Sequence, residues 1–168
     1  MKEIPLTQGK VAYVDDDDYT ELSKHKWFAD NYSGTFYAGR NRKEPNGKRP
    51  KVFMHRVILG LVRGDGKQAD HINHDGLDNR KENLRVCTAQ QNRFNMRKKK
   101  NTTSRYRGVT WTKGKWKARI FFNYKQISLG VFADEIDAAR AYDEKAREMF
   151  GEFANTNFKL KGLHCENY

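Results

Sequence analysis

The sequence predicts an α+β protein made of two small units. Three observations carry that reading. Residues 69–95 read as strand, loop, strand and helix in close succession. Residues 105–160 read as three short strands and then one helix, the pattern of a three-stranded antiparallel sheet packed on a single helix. Between them, Met96 to Ser104 (M-R-K-K-K-N-T-T-S) is polar and basic with no apolar periodicity, which marks a linker. The boundaries that follow are 1–97 for the first unit, 98–104 for the linker and 105–160 for the second.

Composition narrows the field. The chain has 168 residues, 37% hydrophobic, with 12% aromatic residues to build modest cores. Mean hydropathy is −0.98, net charge +12 and pI about 9.7. A basic excess of this size implies a polyanionic partner, with nucleic acid, ribosome and anionic membrane all open at this level. Cys87 and Cys165 lie far apart and support neither a disulfide framework nor a Cys-type zinc site, so a reducing cytoplasm is expected. Met1-Lys2-Glu3-Ile4-Pro5 is no signal peptide, and no apolar run approaches a membrane span.

In the first unit, Val11 to Val14 reads as a strand and Asp18 to Lys24 as a short helix next to the acidic run Asp15 to Asp18. Trp27-Phe28, Thr35 to Gly39 and Val52 to Met54 read as strands, with Asn46-Gly47 as a turn between two of them. From Asn31 to Gly64 the only acid is Glu44, against eight Lys or Arg. Six of these, Arg40, Arg42, Lys43, Lys48, Arg49 and Lys51, belong to the hairpin tip, which is either a solubilising loop or a phosphate-contacting one. His55 to Leu61 reads as a short helix with Val57, Ile58 and Leu61 turned inward.

Asp70 to Asn92 is the most informative stretch: D-H-I-N-H-D-G-L-D-N-R-K-E-N-L-R-V-C-T-A-Q-Q-N. Ala69 to Ile72 ends one strand and Leu84 to Cys87 forms a second. Thr88 fits as an N-cap, with Gln91 completing a capping box, and the helix from Ala89 carries Asn92 in its first turns. Asp70 at a strand end can then face Asn92. One carboxylate and one amide oxygen suit a hard divalent cation that keeps several waters. His71 is a candidate general base near neutral pH. It alternates to the other side of the strand and needs a local twist to share the site. Its second ring nitrogen needs an orienting acceptor, either a backbone carbonyl or the Asn83 side chain. A calcium loop over His71 to Glu82 lacks its first carboxylate, and a zinc site on His71 and His74 lacks two further ligands, so no structural zinc is expected. Metal-assisted phosphodiester cleavage needs the parts that remain. Asn83 to Ala133 follows with thirteen Lys or Arg and no acid, which points to a nuclease.

On Asp70-His71, Asn83-Leu84-Arg85, Thr88 and Asn92, the stretch closely resembles the HNH motif of phage and intron-encoded homing endonucleases, in the subclass whose third position is Asn. Met54-His55-Arg56-Val57 resembles the His-Arg that precedes that motif. Leu6 to Lys10, Asp15 and Trp27 look like the start of such phage proteins. The resemblance implies a ββα-metal (His-Me finger) unit. It also implies that Asp70 and Asn92 bind one divalent metal, Mg²⁺ or alternatively Mn²⁺, that His71 activates water, and that Asn83 holds His71 in orientation.

In the second unit, Trp116, Ala118, Ile120 and Phe122 alternate with Lys117 and Arg119, just after Lys115. This period of two makes a half-buried strand with a cationic face. Gly108 to Trp111 precedes it across Thr112-Lys113-Gly114, and Gln126 to Phe132 follows Asn123-Tyr124-Lys125. Asp134 to Phe150 reads as a helix, capped by Asp134 and stopped by Gly151. Ser104 to Phe158 resembles the DNA-binding domain of plant ethylene-response (Apetala-type) transcription factors. The matched pieces are Tyr106-Arg107-Gly108-Val109, Trp116-x-Ala118-x-Ile120, Leu129-Gly130-x-Phe132, Ala138 to Asp143 and Asn157-Phe158. Such domains place their sheet in the major groove, which makes Arg105, Arg107, Lys115, Lys117 and Arg119 the DNA-contact candidates, with Arg42 and Lys48 from the first unit. Trp111 either stacks on sugar or packs internally. Thr110 and Thr112 stand where the plant pattern has Arg, and Tyr124 where it has Gly, so the plant target sequence does not carry over.

The reading that follows is a site-specific, divalent-metal-dependent endonuclease acting as a monomer on double-stranded DNA, away from membranes and in the host cytoplasm if phage-encoded. The alternative is a non-catalytic DNA-binding regulator that keeps a nuclease scaffold. An RNA-binding protein is disfavoured because no common RNA-recognition motif is present.

Overall fold

The protein is described here by a computed structural model covering residues 1–96 and 102–159. The chain divides into two compact units, Met1–Arg93 and Phe94–Tyr168. The division precedes the expected linker, of which residues 98–101 lie outside the described residues. Cys165 also lies outside them.

The first unit opens with β1 (Lys2–Pro5) paired antiparallel to β2 (Val11–Val14). Helix α1 (Asp16–Leu22) follows, starting earlier than the Asp18 expected from the sequence, because acids favour a helix's first turn. An antiparallel sheet is then formed by β3 (Phe28–Tyr32), β4 (Thr35–Asn41) and β5 (Lys51–Phe53). Ile4, Ala12, Val14, Leu22, Trp27, Ala38 and Met54 make the core. The buried Trp27 indole is satisfied by donating to the Leu22 carbonyl at 2.8 Å.

Met54 opens the short helix α2 (Met54–Ile58) and is itself fully buried. The expectation that Val57 packs inward fails: Val57 is 41% exposed, and Met54 and His55 take the buried face. The basic hairpin is also less cationic than its composition. Arg40 lies within β4 over the Trp27 ring, Lys51 pairs with Asp30, and Arg42 pairs with Glu44 at 3.1 Å. Lys43, Lys48 and Arg49 are left exposed.

Next come β6 (Gln68–His71), β7 (Leu84–Cys87) and α3 (Ala89–Phe94), with β6 and β7 antiparallel and Asp70 opposite Arg85. The capping box is present in both directions: Gln91 N–H donates to Thr88 Oγ1 at 3.2 Å, and Thr88 N–H donates to Gln91 Oε1 at 2.9 Å. The loop between the strands is pinned to the rest of the unit. Tyr13 N–H donates to Leu77 O and Asn79 N–H to Tyr13 O, each at 2.8 Å. The Asp15 carboxylate, part of an acidic run legible only as composition, accepts from Lys81 N–H at 2.7 Å. Gly76 is required here. A Cβ at this position would lie 2.6 Å from the Tyr37 ring, and also too close to the Phe36 carbonyl.

In the second unit, β8 (Val109–Thr112), β9 (Lys115–Phe122) and β10 (Lys125–Phe132) form an antiparallel sheet in the order β10-β9-β8. Both turns use left-handed residues, Lys113-Gly114 and Asn123-Tyr124, which match the twist of a hairpin. Tyr124 adopts φ 62° at 93% exposure. Helix α4 (Glu135–Phe150) is capped by the Asp134 carboxylate, which accepts from Ile136 N at 2.6 Å and Asp137 N at 3.2 Å. Its alanines, Ala138, Ala139 and Ala146, let it lie close on Val109, Ala118 and Ile120. Phe94 stacks on Phe150 at 3.8 Å.

The buried Asp143 carboxylate accepts from Asn157 N–H at 2.8 Å, Asn157 Nδ2 at 2.9 Å and Phe158 N–H at 2.8 Å, which fastens the segment after α4. Asn157 in turn pairs with the Arg107 backbone through both amide atoms, at 2.6 and 3.2 Å.

Candidate active site

Period two along β6 puts Asp70 and His71 on opposite faces of the strand. Asp70 shares its face with Gln68, two residues earlier. The Asp70 carboxylate is buried and accepts from Arg85 Nε at 2.9 Å and Arg85 Nη2 at 2.7 Å, both on Oδ2. Asn92 reaches the same face from α3, where its Nδ2 donates to Gln68 Oε1 at 2.8 Å. Asp70 and Asn92 are thus presented from a strand and a helix to one side of the hairpin. Among the described residues no group of three or more His, Cys, Asp or Glu converges as a metal cluster. The candidate ligands on this face, Asp70 and Asn92, offer one carboxylate and one neutral amide oxygen, a set that fits a hard divalent ion retaining most of its waters.

His71 lies on the other face, in an aromatic box. Its ring stands edge-on to His55 at 5.0 Å and 86°, and Tyr37 lies 5.7 Å from both imidazoles. His55 itself stacks flat on Phe53 at 5.4 Å. His71 Nε2 sits 3.4 Å from Oδ1 of Asn79, a fully buried side chain. Burial holds the His71 imidazole below the usual histidine range, while the Asn79 bond and the charges of Asp70, Asp75 and Asp78 pull the other way. His55 is pushed down to about 3 by burial, then by the His71 and Arg56 charges. Both imidazoles are therefore neutral at pH 7, and a neutral imidazole can accept a proton.

The Asn83 side chain makes hydrogen bonds within its own loop. Oδ1 accepts from Asn73 N–H at 2.9 Å and Nδ2 donates to Asp78 O at 2.8 Å, so Asn83 ties the loop closed from within. The side chain beside His71 is Asn79, a residue with no signal in the sequence because the docking of its loop on Tyr13 puts it there. The near-calcium loop also spends its acids internally: Asp75 Oδ1 accepts from Leu77 N–H at 3.0 Å, and Asp78 grips Arg80 at 2.8 Å. Residue order alone does not mark Gln68 or Arg85 as the partners of Asn92 and Asp70. The period-two spacing of Gln68 from Asp70 signals only that the two share a face.

Residues 52–94, from β5 through α3, match the family model described as HNH endonuclease. The chain is also 33% identical over 156 residues to an uncharacterized HNH endonuclease of Acanthamoeba polyphaga mimivirus, covering 89% of this chain and 76% of that protein. The chain belongs to the HNH endonuclease family. It is a nuclease, and the matched segment contains Asp70, His71, Asn83, Arg85 and Asn92.

Two plant proteins are also similar to this HNH endonuclease. An APETALA2-like protein of Oryza sativa is 47% identical over 60 residues, covering 34% of this chain and 14% of the plant protein. An AP2-like ethylene-responsive transcription factor of Arabidopsis thaliana is 39% identical over 182 aligned positions, covering 98% of this chain and 30% of its own length.

The DNA-contact candidates divide by environment. Lys115, Lys117 and Arg119 line β9, with Arg119 Nη1 donating to Gln126 Oε1 at 3.1 Å. The Arg105 side chain is largely exposed and lies 3.7 Å from Glu135. Arg107 is partly buried, and its Nε donates to the Tyr142 hydroxyl at 2.9 Å and its Nη1 to the Met96 carbonyl. Gly108 leaves room for that arrangement, since a Cβ there would lie 2.5 Å from Tyr142 Cε2 and 2.8 Å from the Arg119 carbonyl. Trp111 is 45% exposed and packs edge-on against Trp116 at 4.7 Å. Arg42 is paired with Glu44, whereas Lys48 is exposed. No helix among the described residues is long and apolar enough to cross a membrane.

Proposed function

We propose that this HNH endonuclease is a site-specific, divalent-metal-dependent enzyme that hydrolyses phosphodiester bonds in double-stranded DNA, of the phage homing type, acting as a monomer. The observation that carries the reading is the bond from Asn92 Nδ2 to Gln68 Oε1, which sets Asn92 over the face of β6 that bears Asp70, with His71 next along the strand. HNH nucleases generally use a divalent metal, and Asp70 and Asn92 are the residues that would hold it, Mg²⁺ first and Mn²⁺ as an alternative. A bound divalent ion supplies Lewis-acid stabilisation of charge on the phosphoryl oxygens.

His71, neutral and beside His55, Tyr37 and Asn79, is the residue to take the proton from the attacking water; it is the last residue of β6, and it must reach that water around the strand end, because its side chain lies on the face opposite Asp70. Asn83 supports the hairpin loop instead of touching the reactants. The β-sheet of the second unit supplies DNA affinity through Lys115, Lys117 and Arg119, with Arg105, Lys43 and Lys48 as further phosphate contacts. The similarity to a plant protein named as a transcription factor supports DNA as a partner. The working site in a host cell is its cytoplasm.

A plasmid-nicking assay with and without Mg²⁺, run beside His71→Ala, tests the reading. Metal-dependent nicking lost in the variant is expected. Absent nicking by the wild type would leave a DNA-binding regulator on a nuclease scaffold as the better description, and metal-independent nicking would remove the metal from the reading.

A further inference from the structure

We infer that Gln68 is a positioning residue for the metal site, setting which atom of the Asn92 amide is presented. The inference rests on the reading that Asp70 and Asn92 hold a divalent ion. A carboxamide has two chemically opposite ends, an oxygen that ligates cations and an NH₂ that repels them, and rotation of its last torsion exchanges them. Only one orientation is useful to a metal. In this protein Asn92 Nδ2 donates to Gln68 Oε1 at 2.8 Å. That bond occupies the NH₂ end and leaves Oδ1 as the ligating end.

The placement of Gln68 makes the arrangement specific. It stands two residues before Asp70 on β6 and on the same face, so the residue that orients one ligand shares a rigid strand with the other. Asn92 is held from its own side by α3, whose start is fixed by the reciprocal Thr88–Gln91 cap. Asp70 has a matching brace in Arg85, whose two nitrogens hold Oδ2 from the paired strand. Each candidate ligand is therefore anchored by a neighbour, Asn92 by Gln68 and Asp70 by Arg85. Outer residues that orient metal ligands typically change affinity about 10- to 100-fold when lost.

The requirement at position 68 is an acceptor oxygen at the reach of a Gln side chain. Gln68→Met keeps the length and removes the acceptor, whereas Gln68→Glu keeps the acceptor. The test is Mn²⁺ binding followed by the loss of free-ion electron paramagnetic resonance signal. It uses the full chain bound to plasmid-derived duplex in a His71→Ala background, so that the DNA stays intact. Gln68→Met is expected to weaken Mn²⁺ binding about 10-fold or more. Gln68→Glu should bind Mn²⁺ at least as well as Gln68 does, and both variants should melt and bind DNA like the parent. If Asp70→Ala abolishes Mn²⁺ binding while Gln68→Met leaves it unchanged, the positioning role is overturned and the metal reading stands. If the parent binds no Mn²⁺ on DNA, the metal reading falls and this inference falls with it. Equal losses in the Met and Glu variants would also overturn it, since they would show that the acceptor is not what matters.

Discussion

Arg85 holds Asp70 with two nitrogens on a single carboxylate oxygen, at 2.9 and 2.7 Å, with Asp70 buried and Arg85 partly buried. This pairing joins the strands of the hairpin that carries the candidate ligands and answers the charge of a carboxylate taken out of water. Removing one partner of a buried pair is more damaging than the pair is stabilising, because the other charge is left uncompensated. Arg85→Ala is therefore expected to destabilise the first unit by about 3–5 kcal/mol. Denaturant titration checks this, and a loss below 1 kcal/mol would mean that the pair is not structural.

His71→Ala should lower the single-turnover cleavage rate by roughly 100-fold or more, because general-base assistance contributes on that scale. DNA affinity should be nearly unchanged, since a base that acts on water makes few ground-state contacts. Near-normal cutting by the variant would remove His71 from the chemistry.

His55 is buried and held to a value of about 3, well below its unfolded value near 6.5. The folded state thus binds fewer protons than the unfolded chain between these values. Its stabilising effect is fully present above about pH 6.5 and is lost as the pH falls toward 3. Melting temperature should drop on acidification through that window. His55→Phe keeps a planar ring against Phe53 and His71, and should flatten the dependence. An identical pH profile in wild type and variant would show that another group is responsible.

Asp70→Asn, which keeps an oxygen for Arg85, and Asn92→Ala should each raise the metal concentration needed for half-maximal nicking, with DNA binding preserved. Chelation of divalent ions should stop cleavage by the wild type. A variant that keeps the wild-type metal titration does not carry a ligand.

Arg107→Ala and the pair Lys117→Ala with Arg119→Ala should fail in different ways. Loss of Arg107 removes bonds to the Tyr142 hydroxyl and the Met96 carbonyl, so it should lower the melting temperature. Loss of Lys117 and Arg119 should leave melting unchanged, weaken DNA binding, and reduce the salt slope by about one for each phosphate contact removed. Binding across a salt series, read beside melting curves, separates the two. A salt slope reduced in Arg107→Ala with melting unchanged would instead show it to be a phosphate contact.

Several parts of this protein were legible in the chain. Alternation from Trp116 to Phe122 wrote the strand Lys115–Phe122, and Asp134 with its alanines wrote the helix Glu135–Phe150, because period and capping are local properties. Thr88 and Gln91 marked the start of α3 for the same reason. Asp70, His71 and Asn92 stood out because their residue types suit metal and proton chemistry. What only the tertiary structure decided was which side chains those residues meet. Asn79 lies beside His71 because its loop pairs with Tyr13, far back in the chain. Asn83 turned into the loop because the Asn73 amide and the Asp78 carbonyl needed partners. Arg107 was drawn to Tyr142, and Arg40 to Trp27, by contacts across the fold. Periodicity, caps and turns act over a few residues and can be read from order alone. Hydrogen-bond partners of buried polar groups depend on which segments pack together, and residue order alone does not specify that packing.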